Sequence, residues 1–335
     1  MTTLSVKLAA ASLLALTIGL DGPAHAQRGQ PNPPQPLSVP GHLARANQIA
    51  GNDPFPQWVA TKGYWCMPPA EGQVSAFAHA QDADGVEPVQ VFDNLYYIGK
   101  VFVGVFVLKT SDGLVMWDAL DYPSEAQSIL LPGMKKLGLD PKDIKLIIVT
   151  HGHFDHFGAA KLLHDTYGIP VAASAADWQL MADYKSDGSN RRPTPPSKER
   201  VLTDGEVVKV GDASIRIVLT PGHTEGTISS TLPVKDKGIV RIMAMWGGTA
   251  YPGTAQALNE MGQSMQKFGK AAAEAGAEGL IDDHAEFFNM RELLAARAPG
   301  TPNPVVIGKA NVQKTVDIMG ECLNSMKDWR LAMGR

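Results

Sequence analysis

Two β-sheets packed face to face between helical layers, a four-layer α/β sandwich, is the fold class this 335-residue sequence predicts. Three observations predict it. Two strand-rich blocks follow one another, and each is closed by helical segments. Ile144–Val149 is an apolar run of strand length, as expected of a strand covered on both faces. Hydrophobic residues make up 44% of the chain and charged residues 19%, enough to fill one large core with terminal extensions left over.

The elements follow in order. Val89–Phe92, Leu95–Ile98, Val101–Lys109 and Leu114–Trp117 are β-rich runs separated by Asp93-Asn94, Gly99 and Ser111-Asp112-Gly113, which predicts an antiparallel meander. Ser124–Leu137 reads as a helix with Ser124 as its N-cap and Gly138 past its end. After the strand at Ile144–Val149 come a helix over Ala159–Tyr167, a short strand at Val171–Ala173 and a helix over Ala175–Tyr184. The second block has strands at Glu206–Val210, Ile215–Leu219, Ile228–Leu232 and Ile239–Trp246, a helix over Gln256–Ala275, and a short strand at Gly279–Ile281. Helices over Met290–Ala298 and Val312–Met333 close the chain. In the last of these Val312, Val316, Met319, Leu323 and Met326 make one apolar stripe.

The ends carry their own signals. Lys7, the apolar run Leu8–Leu20 and the small residues Ala24-His25-Ala26 predict a signal peptide over residues 1–26, too short an apolar run to span a bilayer comfortably. The mature chain would then work in the periplasm or outside the cell, free of the membrane. Gln27–Pro40 reads as a flexible Pro/Gln lead, and Ala44–Ala83 as an irregular wrap over the core. The expected organisation is an extension over 27–88, a catalytic domain over 89–289 and a helical extension over 290–335. Net charge is −4, so no basic field recruits nucleic acid or anionic lipid, and the partner expected is a small-molecule substrate. The two cysteines, Cys66 and Cys322, form no metal-type Cys-x-x-Cys pair. In an oxidising space they are expected to form a disulfide.

Function is concentrated in Thr150-His151-Gly152-His153-Phe154-Asp155-His156, directly after the buried strand. Three imidazoles and a carboxylate within six residues make no sense as core. A solvated loop would tolerate them, but their density points to a metal, and nitrogen and oxygen donors without thiolate suit Zn²⁺. His151 and His153 alternate along an extended chain and can reach one ion together. Asp155 and His156 then face a second position.

This H-x-H-x-D-H motif after a strand resembles the metallo-β-lactamase superfamily, whose fold is a four-layer αββα sandwich. The resemblance covers about Val89 to His284. It implies that His223, in Thr220-Pro221-Gly222-His223-Thr224, joins His151 and His153 on a first zinc, and that Asp155, His156 and His284 hold a second. It also implies that Asp118, in Met116-Trp117-Asp118-Ala119, anchors the metal loop. Many hydrolases of the superfamily place a bridging Asp between the last two histidines, and the first lactamase subclass places a Cys there. Ile239–Asn259 contains no Asp, Glu, Cys or His. The remaining set is most like the third subclass of metallo-β-lactamases, in which two serines near this place orient the second site and the substrate carboxylate. Here Thr249 stands in for one serine, and the other is absent.

Three readings follow. One is a dizinc hydrolase that opens β-lactam-like amides with a zinc-activated water, Asp155 orienting that water and carrying its proton. The second is a dizinc hydrolase of another ester, lactone or amide. The third is a metal-binding relative with little catalysis.

Overall fold

Alternation along the strands decides how the layers form. The computed structural model describes residues 38–61, 64–66, 85–295, 297–298 and 300–334. The expected signal peptide, most of the Pro/Gln lead and residues 67–84, which include most of the second half of the expected wrap, lie outside them.

A seven-stranded sheet runs in the order β1 (Val89–Phe92), β2 (Leu95–Gly99), β3 (Gly104–Thr110), β4 (Gly113–Trp117), β5 (Ile144–Ile148), β6 (Val171–Ser174) and β7 (Arg200–Leu202). Its first four strands are antiparallel, and β4 to β7 are parallel. The second sheet has five strands: β8 (Val207–Val210), β9 (Ala213–Leu219), β10 (Ile228–Asp236), β11 (Ile239–Trp246) and β12 (Gly279–Asp282). In it only the β11–β12 pair is parallel.

Every second residue of the first sheet points at the second sheet. Leu95, Tyr97, Phe106, Leu108, Val115 and Trp117 pack there against Ile215, Ile217, Leu232, Val234, Met243 and Met245. The residues between them, Tyr96, Ile98, Val105, Val107 and Met116, face outward onto helices. A one-residue slip would exchange both sets, so this two-sided burial pins the register.

The helices are α1 (Ser38–Ala50), α2 (Pro54–Thr61), α3 (Pro123–Glu125), α4 (Leu131–Lys136), α5 (Phe154–Phe157), α6 (Ala160–Tyr167), α7 (Ala175–Asp183), α8 (Ala255–Ala275), α9 (Met290–Ala295) and α10 (Lys309–Ala332). Residues of α4, α6 and α7 cover the first sheet, and α8, α10, α1 and α2 cover the second. The four-layer expectation is met. No helix of the described residues is long and apolar enough to cross a membrane.

Several local expectations differ from the structure. The N-terminal extension is not irregular throughout, because α1 and α2 are regular helices. Val39, Leu43, Ala46 and Ala50 recur at helical spacing, a period that the surrounding prolines and small residues obscure. Ser124 is not a cap: Tyr122 holds the N-cap position, and the Glu125 carboxylate accepts the N–H groups of Asp121 and Tyr122. The expected single helix is interrupted by a π-turn at Ala126–Leu130, just before Pro132 of α4, which has no N–H to continue an α-helical ladder. The strand expected from Val101 starts at Gly104, since a tight turn closed by Lys100 N–H to Val103 O occupies the intervening residues. Strand β7 was not expected at all, being three residues long and too short to show a period.

Registry brings the loops together. Trp117 pairs with Ile148, so Asp118 and Val149-Thr150 leave the first sheet side by side. Trp246 pairs with Asp282, so Gly247 and Asp283 leave the second sheet together. Ile228 N–H donates to Thr150 O at 2.7 Å and ties the two sheets at this end.

Candidate metal centre

Asp118 begins the site. It has φ +64°, an uncommon left-handed conformation for a side chain with Cβ, and Leu120 follows at φ +59°. This sharp turn aims the Asp118 carboxylate at the neighbouring strand end. Its Oδ1 accepts from Thr150 N–H at 2.7 Å, and Thr150 Oγ1 lies 2.9 Å from both of its oxygens. Asp118 Oδ2 also takes His156 Nδ1–H at 2.9 Å. Burial pushes the Asp118 carboxyl up to about 6, with the His156 contact pulling against it. These bonds place Asp118 against both Thr150 and His156.

A hydrogen bond at one ring nitrogen assigns the other as a lone pair. His151 Nδ1 donates to Gly247 O at 2.9 Å, and His223 Nδ1 donates to Ala250 O at 2.8 Å. Both Nε2 atoms are then unprotonated, yet they lie 3.1 Å apart. His153 Nδ1 comes within 3.0 Å of the same His223 Nε2. Burial holds all three rings below the usual histidine range, His223 at about 3, so the neutral forms prevail. Two facing lone pairs repel, and a cation between them reverses the sign of that interaction. The donor set suits zinc.

The second set stands beside the first. With Nδ1 of His156 on Asp118, its Nε2 is buried without a hydrogen-bond partner and lies 3.4 Å from Asp155 Oδ2. His284 Nδ1 bonds to Phe102 O at 2.8 Å, leaving Nε2 4.0 Å from the same oxygen. Burial opposes charge on His156, but Asp155, Asp118 and Asp283 outweigh it and push its pKa well up. This pocket demands a positive charge, from a proton or an ion. His151, Asp155 and His156 also bring one ligand atom each within 4.8 Å of one another. All six residues expected as ligands therefore converge, His153 and His223 being only half-buried and the others buried.

Glycine is required where the backbone closes in. A Cβ on Gly247 would fall 1.8 Å from Ile228 O, and its own carbonyl holds His151. Gly222, at φ +142°, would place a Cβ 2.5 Å from Met261.

Thr249 is placed differently from the expected substrate contact. It is 2% exposed, and its hydroxyl donates to Asp282 Oδ1 at 2.5 Å. Other members went unread in the sequence. Asp283 lies against both Thr150 Oγ1 (2.9 Å) and His156 Nδ1 (3.3 Å). Asp177 accepts from Thr224 Oγ1 at 2.9 Å and so steadies the loop that carries His223. Only adjacency to His284 and to the Pro-Gly-His motif hinted at Asp283 and Thr224, and nothing local marked Asp177. His42 pairs with Glu321, and His164 bonds to Ile169 O, both outside the cluster. Beside the site, the Phe154 ring stacks on Tyr122 at 6.0 Å and leans on Tyr184 at 6.4 Å.

Comparison with known proteins gives a consistent family. The family matched is the Metallo-beta-lactamase superfamily, over residues 98–236. A hydroxyacylglutathione hydrolase of Cereibacter sphaeroides is 30% identical over 188 residues, 51% of this chain and 67% of that protein. A probable metallo-hydrolase of Bacillus subtilis is 27% identical over 148 residues, 43% of this chain and 65% of its own. Across the first three curated relatives the chain spans 43–67% of their length. Among solved structures, BJP-1, a subclass B3 metallo-beta-lactamase of Bradyrhizobium japonicum, is similar at 25% identity. It covers 76% of this chain and 99% of its own, with a TM-score of 0.62. A mutant of FEZ-1, the metallo-beta-lactamase of Legionella gormanii, shares the fold at 22% identity and a TM-score of 0.63, over 73% of this chain and 96% of its own.

Proposed function

This chain belongs to the metallo-beta-lactamase superfamily, and on that premise we propose that it is an exported dizinc hydrolase opening a β-lactam-like amide. The observation that carries the reading is the pair of adjoining donor sets, three histidines in one and Asp155, His156 and His284 in the other, with no bridging carboxylate between β11 and α8. When bound, zinc supplies an activated water at neutral pH and a Lewis acid for the carbonyl oxygen.

The chain's own residues do the rest. His156 above all holds Asp155 well below the usual carboxylate range in spite of its burial, so it stays ionised and, as a weakly basic acceptor, can orient the attacking water through a hydrogen bond. Phe154, Tyr122 and Tyr184 offer an apolar wall next to that carboxylate. The Thr249 hydroxyl, held on Asp282, supports the His284 turn, because Asp282 Oδ1 also accepts the His284 backbone N–H at 2.9 Å. Export is supported by the signal-like residues 1–26 and by the Cys66–Cys322 disulfide.

A second reading draws on the hydroxyacylglutathione hydrolase relative: the same centre would cleave a thioester or lactone. The test is a substrate panel on zinc-loaded mature protein, covering penicillins, cephalosporins, carbapenems, lactones, thioesters and phosphodiesters. The expected result is β-lactam opening that chelation abolishes and zinc restores. If every β-lactam survives while a thioester or lactone is cleaved, the second reading replaces the first. Recovery of iron in place of zinc would remove the dizinc basis of both.

A further inference from the structure

Beneath the donor cluster lies a group of charges with no part in the chemistry above. Lys100 is 1% exposed, and its ammonium contacts the Asp121 carboxylate and, at 2.9 Å, Glu125 Oε1. Glu125 Oε2 in turn accepts the backbone N–H groups of Asp121 at 3.0 Å and Tyr122 at 3.2 Å. Three buried ionisable groups are a weak device for stability alone, since apolar residues of similar volume often stabilise as well or better.

Their position suggests another use. Lys100 belongs to the β2–β3 turn, whose shape is set by Lys100 N–H to Val103 O at 2.8 Å and by Tyr97 Oη–H to Lys100 O at 2.9 Å. The same turn presents the Phe102 carbonyl that fixes His284 Nδ1, and the Phe102 ring lies 4.3 Å from the His284 ring. Asp121 belongs to the turn after β4, and Glu125 to α3, which caps it. That turn presents Asp118, which fixes His156 Nδ1, and it bonds the metal loop through Ala119 N–H to His156 O at 2.8 Å and Gly158 N–H to Leu120 O at 2.9 Å. Two separate turns thus each orient one ligand of the second donor set, and the Lys100 ammonium is a side-chain link between them. In the first set, His151 and His223 are fixed at Nδ1 by other groups, the carbonyls of Gly247 and Ala250.

We propose that Lys100, through Asp121 and Glu125, is a positioning residue for the second cation position, clamping the turn that orients His284 to the turn that orients His156. The proposal rests on the two-cation reading of the site. Removing the clamp lets the two imidazoles drift independently, so the second position loses affinity while the first keeps it.

The test is Co²⁺ titration of the metal-free full-length mature protein, followed by the cobalt absorption bands, with His223→Ala and His284→Ala as references for the two positions. Lys100→Met and Glu125→Ala cut the clamp at opposite ends, and circular dichroism checks folding. The expected result is weakening of the second position by about 10- to 100-fold, as for loss of groups that orient metal ligands, with the first changed by less than about twofold. If Lys100→Met does not fold, Glu125→Ala alone decides. Unchanged affinities, or equal weakening at both positions, would overturn the clamp. A wild-type protein that takes up a single ion overturns the two-cation reading, and the clamp with it.

Discussion

At His151 and His223 the ring nitrogen that faces away from the cluster decides what the cluster can bind. Each is committed to a backbone carbonyl, of Gly247 and Ala250, so the inward nitrogen is a lone pair. Truncating either residue should therefore empty mainly the first position: His223→Ala or His151→Ala is expected to lower zinc content from about two ions per chain to about one, measured by elemental analysis. Asp121 carries a second prediction. Burial, followed by the Asp155 charge, pushes its carboxyl up to about 7, while Lys100 pulls it down. The folded metal-free protein thus binds a proton there that the unfolded chain releases near pH 4. The contribution of this group to stability should fall as pH rises from about 4 to about 7, and Asp121→Asn should remove that component from the pH profile in chemical denaturation. A pH profile unchanged in the variant would contradict the assignment.

Among the elements, the strands were legible and some helices were not. Strand signals survive in the sequence because strands covered on both faces, such as β2, read as continuous apolar runs, while β9 alternates buried Ile215 and Ile217 with exposed Ser214 and Arg216. The period of α1 was obscured because it packs through small residues, Ala46 and Ala50, against other helices. The stripe on α10 was read as core, and the structure seats it on α8. There Gly269 gives the close approach, since a Cβ at that position would lie 2.7 Å from Val316 Cγ1. Gly269→Val should destabilise the protein by about 1–3 kcal/mol through overpacking, read as a lower urea midpoint. A neutral result would show that α8 and α10 separate freely.

Across the whole molecule, Cys66 and Cys322 close a covalent link over 256 residues of sequence. The expected disulfide is present and joins the N-terminal helices to α10. Cys66→Ala/Cys322→Ala should lose about 2–4 kcal/mol, chiefly by freeing the unfolded chain. The linked segment also reaches toward the site: Tyr251 Oη–H donates to Trp65 O, and Ala250 next to it holds His223. Thermal unfolding with and without reductant checks the stability change. An unchanged melting temperature would contradict it.

The donor motif, the four-layer class and most strands were determined by the sequence itself, because they depend on residue type and short periods. Three imidazoles and a carboxylate in six residues signal a cation without any knowledge of their neighbours. What surrounds them was decided only by tertiary structure. Asp283 and Asp177 meet Thr150 and Thr224 across 133 and 47 residues, and the Thr249 hydroxyl meets Asp282 across 33. Such contacts follow from which strand ends lie side by side, as Trp117 beside Ile148 and Trp246 beside Asp282. No local pattern encodes that registry. It arises when two sheets bury their facing residues together, and the loops that carry the site are placed by that packing.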